Sequence, residues 1–277
     1  AAPEPPRAEA GMELGSPAAW DDVETPPQPR EDVSHAPAPP LVQRDATPIA
    51  VDVSKKTAMD VIRAQLPAVQ HRARVLDAVG AHRVVVIAGA TGCGKSTQIP
   101  QFLLEDANAN VVVTQPRRVA ATSLAERVHA ERAEQVKLGQ GSVGYSVRLD
   151  VRRSARTRLE FVTVGVLLRR LQRADGLARV THIVVDEAHE RDVLTDFLLV
   201  ALKTKTLPST NIKLLVMSAT LDAGLFTRYF AGAVAVEIPG RLHPVEHKFA
   251  RDCARKVAEC SRGSRRARDA WKRPDGR

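Results

Sequence analysis

From residue 49 onward, short runs of Val, Ile and Leu alternate with stretches whose apolar positions recur every three or four residues. The runs fall at residues 83–88, 110–114, 158–162, 180–185 and 212–217 and are apolar on successive positions. A strand with one wet face alternates polar and apolar residues, whereas a strand covered on both faces does not, so these runs predict a parallel sheet buried between two layers. Helical periodicity appears at residues 56–65, 68–79, 117–135, 164–173, 193–205 and 223–230, with a further helix opening near residue 95. In the first of these, Ala58, Val61, Ile62 and Gln65 share a face, Leu66-Pro67 interrupts the pattern, and Gly80 is the expected stop of the second. The alternation predicts an α/β fold with a doubly wound, mostly parallel sheet. Such sheets bind ligands beyond the carboxyl ends of their strands, where Gly89, Asp186 and Ser218 all fall.

Residues 1–48 lack this pattern. They are rich in Ala, Pro and Glu, and prolines at Pro3, Pro5, Pro6, Pro26, Pro27, Pro29, Pro37, Pro39 and Pro40 deny them a regular helix or ladder, so the segment is expected to be disordered. Composition then sharpens the division. The formal charge is +9 over 277 residues, with 44% of them hydrophobic, enough for a sizeable core. Residues 1–48 carry 3 basic and 9 acidic groups, residues 49–250 carry 28 and 19, and residues 251–277 carry 10 and 4. A basic body and a basic tail suit a polyanionic partner. Cys93, Cys253 and Cys260 match no common zinc spacing, which points to a reducing compartment. No apolar run approaches the roughly 18 residues of a membrane span, and the first residues lack the order of a secretory signal. A soluble, intracellular protein with no membrane partner is expected.

Residues 89–97 read GATGCGKST between the strand at 83–88 and the helix near 95. This is the G-x-x-x-x-G-K-[ST] form of a phosphate-binding loop in the context it requires. Gly89, Gly92 and Gly94 are expected to let the backbone turn tightly and aim N–H groups at a β-phosphate, along the stretch Ala90, Thr91, Cys93 and Thr97. Lys95 supplies a point charge for the β- and γ-phosphates, Ser96 a hydroxyl for Mg²⁺, and the helix its positive end. A nucleotide such as ATP, with Mg²⁺, is the expected ligand. About ninety residues on, a strand ends in Asp186-Glu187-Ala188-His189-Glu190. In a phosphate-loop enzyme the aspartate there holds the metal and the glutamate orients or deprotonates water, so Asp186 takes the metal role and Glu187 that of the base.

GATGCGKST, TQPRRVAA (114–121), TVGVLLRRL (163–171), DEAH (186–189) and SAT (218–220) stand in the order and approximate spacing of the DEAH-box RNA helicases of superfamily 2, which this sequence resembles. The likeness covers residues 49–249, including Leu66-Pro67 and the run from Pro239-Gly240-Arg241 to Pro244-Val245-Glu246. It implies a RecA-like, ATP-binding first domain acting on RNA, with protein cofactors as a further class of partner. By resemblance, Arg117, Arg118, Thr163 and Gly165 contact the RNA sugar-phosphate backbone, and Arg127 packs against the nucleotide base. Ser218 and Thr220, with His189 as neighbour, correspond to the motif that couples hydrolysis to domain movement.

The family's second RecA-like domain carries a QRxGRxGR-like arginine-finger motif, which residues 1–277 do not contain; Arg265, Arg266 and Arg268 do not reproduce it. The chain therefore resembles the front half of such an enzyme, followed by a basic tail, residues 250–277, expected to be disordered. Two readings stand: an ATP-dependent RNA helicase represented by its ATP-binding domain, or a non-catalytic nucleotide- and RNA-binding protein that lacks the second domain.

Overall fold

The computed structural model describes residues 48–219, 223–240, 248–250 and 253. The elements are α1 (Val53–Ala64), α2 (Pro67–Gln70), α3 (Arg72–Ala81), β1 (Val84–Gly89), α4 (Lys95–Leu103), β2 (Val111–Gln115), α5 (Arg118–Arg132), β3 (Val143–Val147), β4 (Asp150–Arg152), β5 (Leu159–Thr163), α6 (Val164–Leu171), β6 (His182–Val185), α7 (Val193–Ala201), α8 (Leu207–Ser209), β7 (Lys213–Ser218), α9 (Gly224–Tyr229) and β8 (Val234–Ile238). A 3-10 turn, Ala188–Glu190, follows β6, and a π-helical turn, Leu202–Thr206, joins α7 to α8. The expectations for residues 1–47 and most of the tail, for Thr220 and for the run 241–246 lie outside the described residues.

The strands form one sheet in the order β4-β3-β5-β2-β6-β7-β1-β8, and among the described residues only the β3–β4 pairing is antiparallel. All six positions of β1 are buried because successive side chains enter different cores. Val85 and Ile87 join Ala68 of α2, Val75 of α3, Ile99 and Phe102 of α4 and Val128 of α5. Val84, Val86 and Ala88 join Leu167 of α6, Leu198 of α7 and Phe226 of α9 on the other face. Helices thus cover both faces, as the continuous apolar runs predict. Each fully buried Val, Ile or Leu side chain contributes about 1.5–3 kcal/mol through removal from water.

Three strands were not evident in the pattern. The segment of β3 interrupts its apolar residues with Gly144 and Ser146, and β4 is short and charged. A side chain at Gly144 would collide with the Arg152 carbonyl, so the hairpin requires glycine there. In β8, Ala235 and Glu237 dilute the β-branched residues, and only docking beside β1 defines the strand. Gly80 does not stop α3, which runs one residue further to Ala81.

Candidate functional site

β6, β7 and β1 lie side by side, so Asp186, Ser218 and Gly89 emerge at three adjacent carboxyl ends. Between β1 and α4 the loop turns through Gly92 at φ 81° and Gly94 at φ 94°, left-handed conformations that other residues adopt only with strain. Gly89 has a different reason. It is the last residue of β1, and a Cβ there would stand 2.9 Å from the Ile238 carbonyl oxygen and 3.2 Å from Cys93 Sγ, so close packing against β8 rather than a turn excludes a side chain.

The loop is braced from outside by segments that local patterning does not connect to it. The Ala68 N–H donates to the Cys93 carbonyl at 2.9 Å, and Leu66 packs where a side chain on Gly94 would point. Gly240 passes so near Ala90 that a Cβ on it would collide with the Ala90 Cβ. Within the loop, the buried Lys95 ammonium donates to the carbonyls of Gly89 and Ala90, the latter at 3.1 Å, and lies 3.8 Å from Cys93 Sγ. Thr91 is exposed, Ser96 and Thr97 are half-buried, and the Thr97 hydroxyl donates to the Gly94 carbonyl at 3.3 Å.

Asp186 is 2% exposed at the end of β6. Its Oδ2 accepts from Gln115 Nε2 at 2.6 Å and its Oδ1 from the Glu187 N–H at 2.9 Å, and the nearby Ser96 hydroxyl favours its charged form. Burial pushes its carboxyl above the usual carboxylate range, against the pull of those hydrogen bonds and of the Lys95 charge. Glu187 is held at φ 54°, an unusual conformation for a non-glycine residue. Burial and the neighbouring Asp186 charge raise its pKa too, with the Lys95 charge acting in the opposite sense. His189 Nδ1 accepts from the Ala219 N–H at 3.1 Å, which ties the turn after β6 to the end of β7 next to the fully buried Ser218. A ring nitrogen that accepts carries no proton, so Glu187 Oε2, 3.4 Å from the same atom, makes no ion pair with it in that tautomer.

The residues expected to face a nucleic-acid backbone also converge. Gln115 and Thr163 are register partners at the ends of β2 and β5. Arg117 and Arg118 follow β2 at the start of α5, both exposed, and Thr163 precedes the first turn of α6, where nothing stands within 4 Å of the Cβ position of Gly165. Arg117 pairs with Glu190 at 3.2 Å, so this surface touches the turn that carries Glu187 and His189. Arg127 is half-exposed on α5, and its Nε donates to the buried Glu131 at 2.7 Å. Sequence reasoning assigns no role to Gln115, Glu131, Glu190 or the bracing Gly240, although Gln115 at the head of the PRR segment and Glu190 directly after His189 stand beside residues it singles out.

The oxygen donors suit a hard cation. Ser96 offers a hydroxyl and, close by, Asp186 a carboxylate. Among the described residues no group of three or more His, Cys, Asp or Glu forms an all-protein cage. A few protein oxygens completed by phosphate and water are what Mg²⁺ requires, so the residues fit that ion.

A model of the DEAD/DEAH box helicase family matches residues 69–226, more than half of the chain. The chain belongs to the DEAD/DEAH box helicase family. It is 49% identical over 197 residues to DHX57 of Mus musculus, covering 69% of this chain and 14% of the relative. It is 48% identical over 209 residues to the DExH-box ATP-dependent RNA helicase DExH3 of Arabidopsis thaliana, covering 73% and 17%. Against the ATP-dependent RNA helicase DHX30 of Pongo abelii it is 45% identical over 203 residues, covering 70% and 17%. The chain thus spans only 14–17% of the length of these relatives. No helix among the described residues of this helicase-family chain is long and apolar enough to cross a membrane.

Proposed function

We propose that residues 49–249 form the ATP-binding, RNA-contacting RecA-like domain of a DEAH-box ATP-dependent RNA helicase. The observation that carries the reading is the meeting of two distant segments: Lys95 and Ser96 at the start of α4 and Asp186 at the end of β6, with the Ser96 hydroxyl and the Lys95 charge near enough to the carboxylate to favour its charged form. The relatives' names, ATP-dependent RNA helicases, support the same substrate and partner.

In this reading the loop N–H groups from Ala90 to Ser96 and the amino end of α4 bind the β-phosphate, and Lys95 leaves its loop carbonyls for the β- and γ-phosphates. Ser96 and Asp186 hold Mg²⁺, which when bound neutralises charge on the phosphate oxygens. Glu187 accepts the proton of the attacking water, a task helped by a carboxylate whose pKa lies above the ordinary range. His189 links that base to the Ser218-Ala219 end of β7 through the Ala219 N–H. Arg117, Arg118 and Thr163 hold RNA phosphates at the neighbouring strand ends, without reading bases.

Titration calorimetry of the 277-residue chain with Mg·ATP tests the binding half. Lys95→Ala is expected to weaken binding at least about tenfold, because deleting the charge leaves a buried polyanion less compensated. Glu187→Gln is expected to bind like wild type while losing turnover. Equal affinity of wild type and Lys95→Ala would refute the phosphate cradle. Turnover by these residues alone is expected to be slow, since an arginine finger from a second domain contributes about 10³–10⁵ in rate. RNA-stimulated ATPase that appears after fusing a second RecA-like domain behind Phe249 supports the helicase reading. Absence of any gain favours a non-catalytic binding module.

A further inference from the structure

Glu131 is 1% exposed in the last turn of α5, yet it is a carboxylate with no place in the phosphate or RNA site. Its oxygens gather donors from separate elements. Oε1 accepts from Arg127 Nε at 2.7 Å on its own helix. Oε2 accepts from Gln98 Nε2 at 2.9 Å and Gln101 Nε2 at 2.8 Å, both on α4. From α1, Arg63 stands 3.7 Å from Oε2 and donates to Gln98 Oε1 at 2.7 Å. Gln98 and Gln101 also bond Thr97, through its hydroxyl at 2.9 Å and its carbonyl at 2.8 Å, so the cluster reaches the last residue of the phosphate-loop motif.

This arrangement does more than neutralise a buried charge. Arg127 on its own is a half-exposed side chain with four rotatable bonds, free to point many ways in water. With Nε engaged, rotation about the end of the side chain is restrained, which biases the guanidinium plane toward a set relation to α4 and hence to the loop. The single bond from Nε to the carboxylate leaves the Nη donors and both flat faces of the guanidinium open, and those faces suit stacking on a base.

Resting on the nucleotide reading above and on the resemblance that sets Arg127 against the base, we propose that Glu131 is a positioning residue for the nucleotide base: it orients Arg127 against the adenine and ties that orientation to the phosphate-loop helix through Gln98 and Gln101. It does not touch the nucleotide itself. ATP affinity accordingly depends on Glu131 through the base, whereas affinity for a base-free polyphosphate does not.

The test is calorimetric titration of the full 277-residue chain with Mg·ATP and with Mg·tripolyphosphate, which has no base. Glu131→Gln keeps the volume but offers an amide N–H to Gln98 and Gln101, which are donors there, so the cluster must rearrange. It is expected to weaken ATP binding about fivefold, in line with a lost cation–π contact, and to leave tripolyphosphate within about twofold of wild type. Unchanged tripolyphosphate binding also certifies that the variant is folded. Arg127→Ala is expected to give the same split, and the double variant to lose no more than Arg127→Ala alone, because both act through one contact. Glu131→Asp, which keeps the charge but withdraws it by one methylene, is the second variant if the amide does not fold, and must show the same split. Equal losses for ATP and tripolyphosphate, or additive losses in the double variant, would overturn the proposal and make Glu131 a brace of α4. Loss with Arg127→Ala but none with either Glu131 variant overturns it while sparing the base contact. ATP binding by Arg127→Ala at wild-type strength removes the base-site reading as well.

Discussion

Two buried carboxylates, Glu160 within β5 and Asp186 just past β6, sit in one sheet and are treated in opposite ways. Glu160 is surrounded by opposite charge: Arg170 grips both its oxygens, one at 2.8 Å, Arg153 lies 3.7 Å away, and the Ser146 hydroxyl donates to it. Burial works against its ionisation, yet Arg170 and Arg153 more than offset that and hold it below the ordinary range. Asp186 accepts hydrogen bonds from the Gln115 amide and one backbone N–H, with the Ser96 hydroxyl and the Lys95 charge nearby, and burial wins, raising its pKa. A carboxylate that serves the fold is neutralised within the chain. One left under-compensated at a strand end stores electrostatic demand for a cation that the fold does not itself supply.

The difference is broken most sharply by deleting each group. Glu160→Ala leaves the Arg170 charge without its partner in a mostly buried site and is expected to cost about 3–5 kcal/mol in urea unfolding, while Lys95 and Asp186 keep their neighbours. A loss under 1 kcal/mol would mean that Arg170 reaches water and that the pair is a surface contact.

Acid offers the next largest effect. His182, at the opposite end of β6 from Asp186, is depressed to about 4 by burial and by the Lys213 charge, from an ordinary 6.5. Unfolding lets it protonate, so its contribution is complete above pH 6.5 and drains away as pH falls toward 4, by at most about 3 kcal/mol. Glu160, also depressed, adds its own loss below its ordinary value of 4.5. Asp186 has the opposite sign, since a raised carboxylate destabilises the fold when charged and is relieved as acid protonates it. Urea midpoints measured from pH 8 to pH 4 should fall for wild type and stay flatter for His182→Val down to about pH 5. Parallel curves would show that His182 is hydrated.

Asp186→Asn tests the other side of the comparison. It removes a costly buried charge and is expected to leave stability unchanged or raise it by about 1 kcal/mol, while weakening the Mg²⁺-dependent part of ATP affinity about 10- to 100-fold. Titration with ATP in magnesium and in chelator separates the two. The smallest effect concerns the exposed pair that joins the surface proposed to face RNA to the turn after β6. Glu190→Ala frees Arg117 and is expected to raise affinity for single-stranded RNA about twofold at low salt, an advantage that fades as salt screens the charge. Unchanged binding at every salt concentration would show that Arg117 does not face RNA.

Much of this was legible in the sequence because the determining residues are close together along the chain. The strand, the turn with Gly92 and Gly94 and the helix from Lys95 form one continuous stretch, and so does β6 with Asp186, Glu187 and His189. The buried strands of the central sheet announced themselves by unbroken Val, Ile and Leu runs, since a parallel sheet between helix layers has no wet face to alternate toward. β3 and β8 were not legible, because Gly144, Ser146, Ala235 and Glu237 hide strands that only their neighbours define.

What the sequence by itself determined is therefore where the candidate residues stand: the glycine-rich loop at the end of one strand run and Asp186, Glu187 and His189 at the end of another, to which phosphate, metal and proton-transfer roles are proposed. Only the tertiary structure decided how each is held. Gly89 is glycine because of the Ile238 carbonyl on β8, the phosphate loop is pinned by Ala68 and crossed by Gly240, and His189 is tied to Ala219. Arg127 answers to a carboxylate that also answers to Gln98, Gln101 and Arg63, on two other helices. The physical reason is range. Periodicity and turn chemistry act over a few residues, while desolvation, charge pairing and steric exclusion act through space and are set by whichever segments the packed sheet brings together.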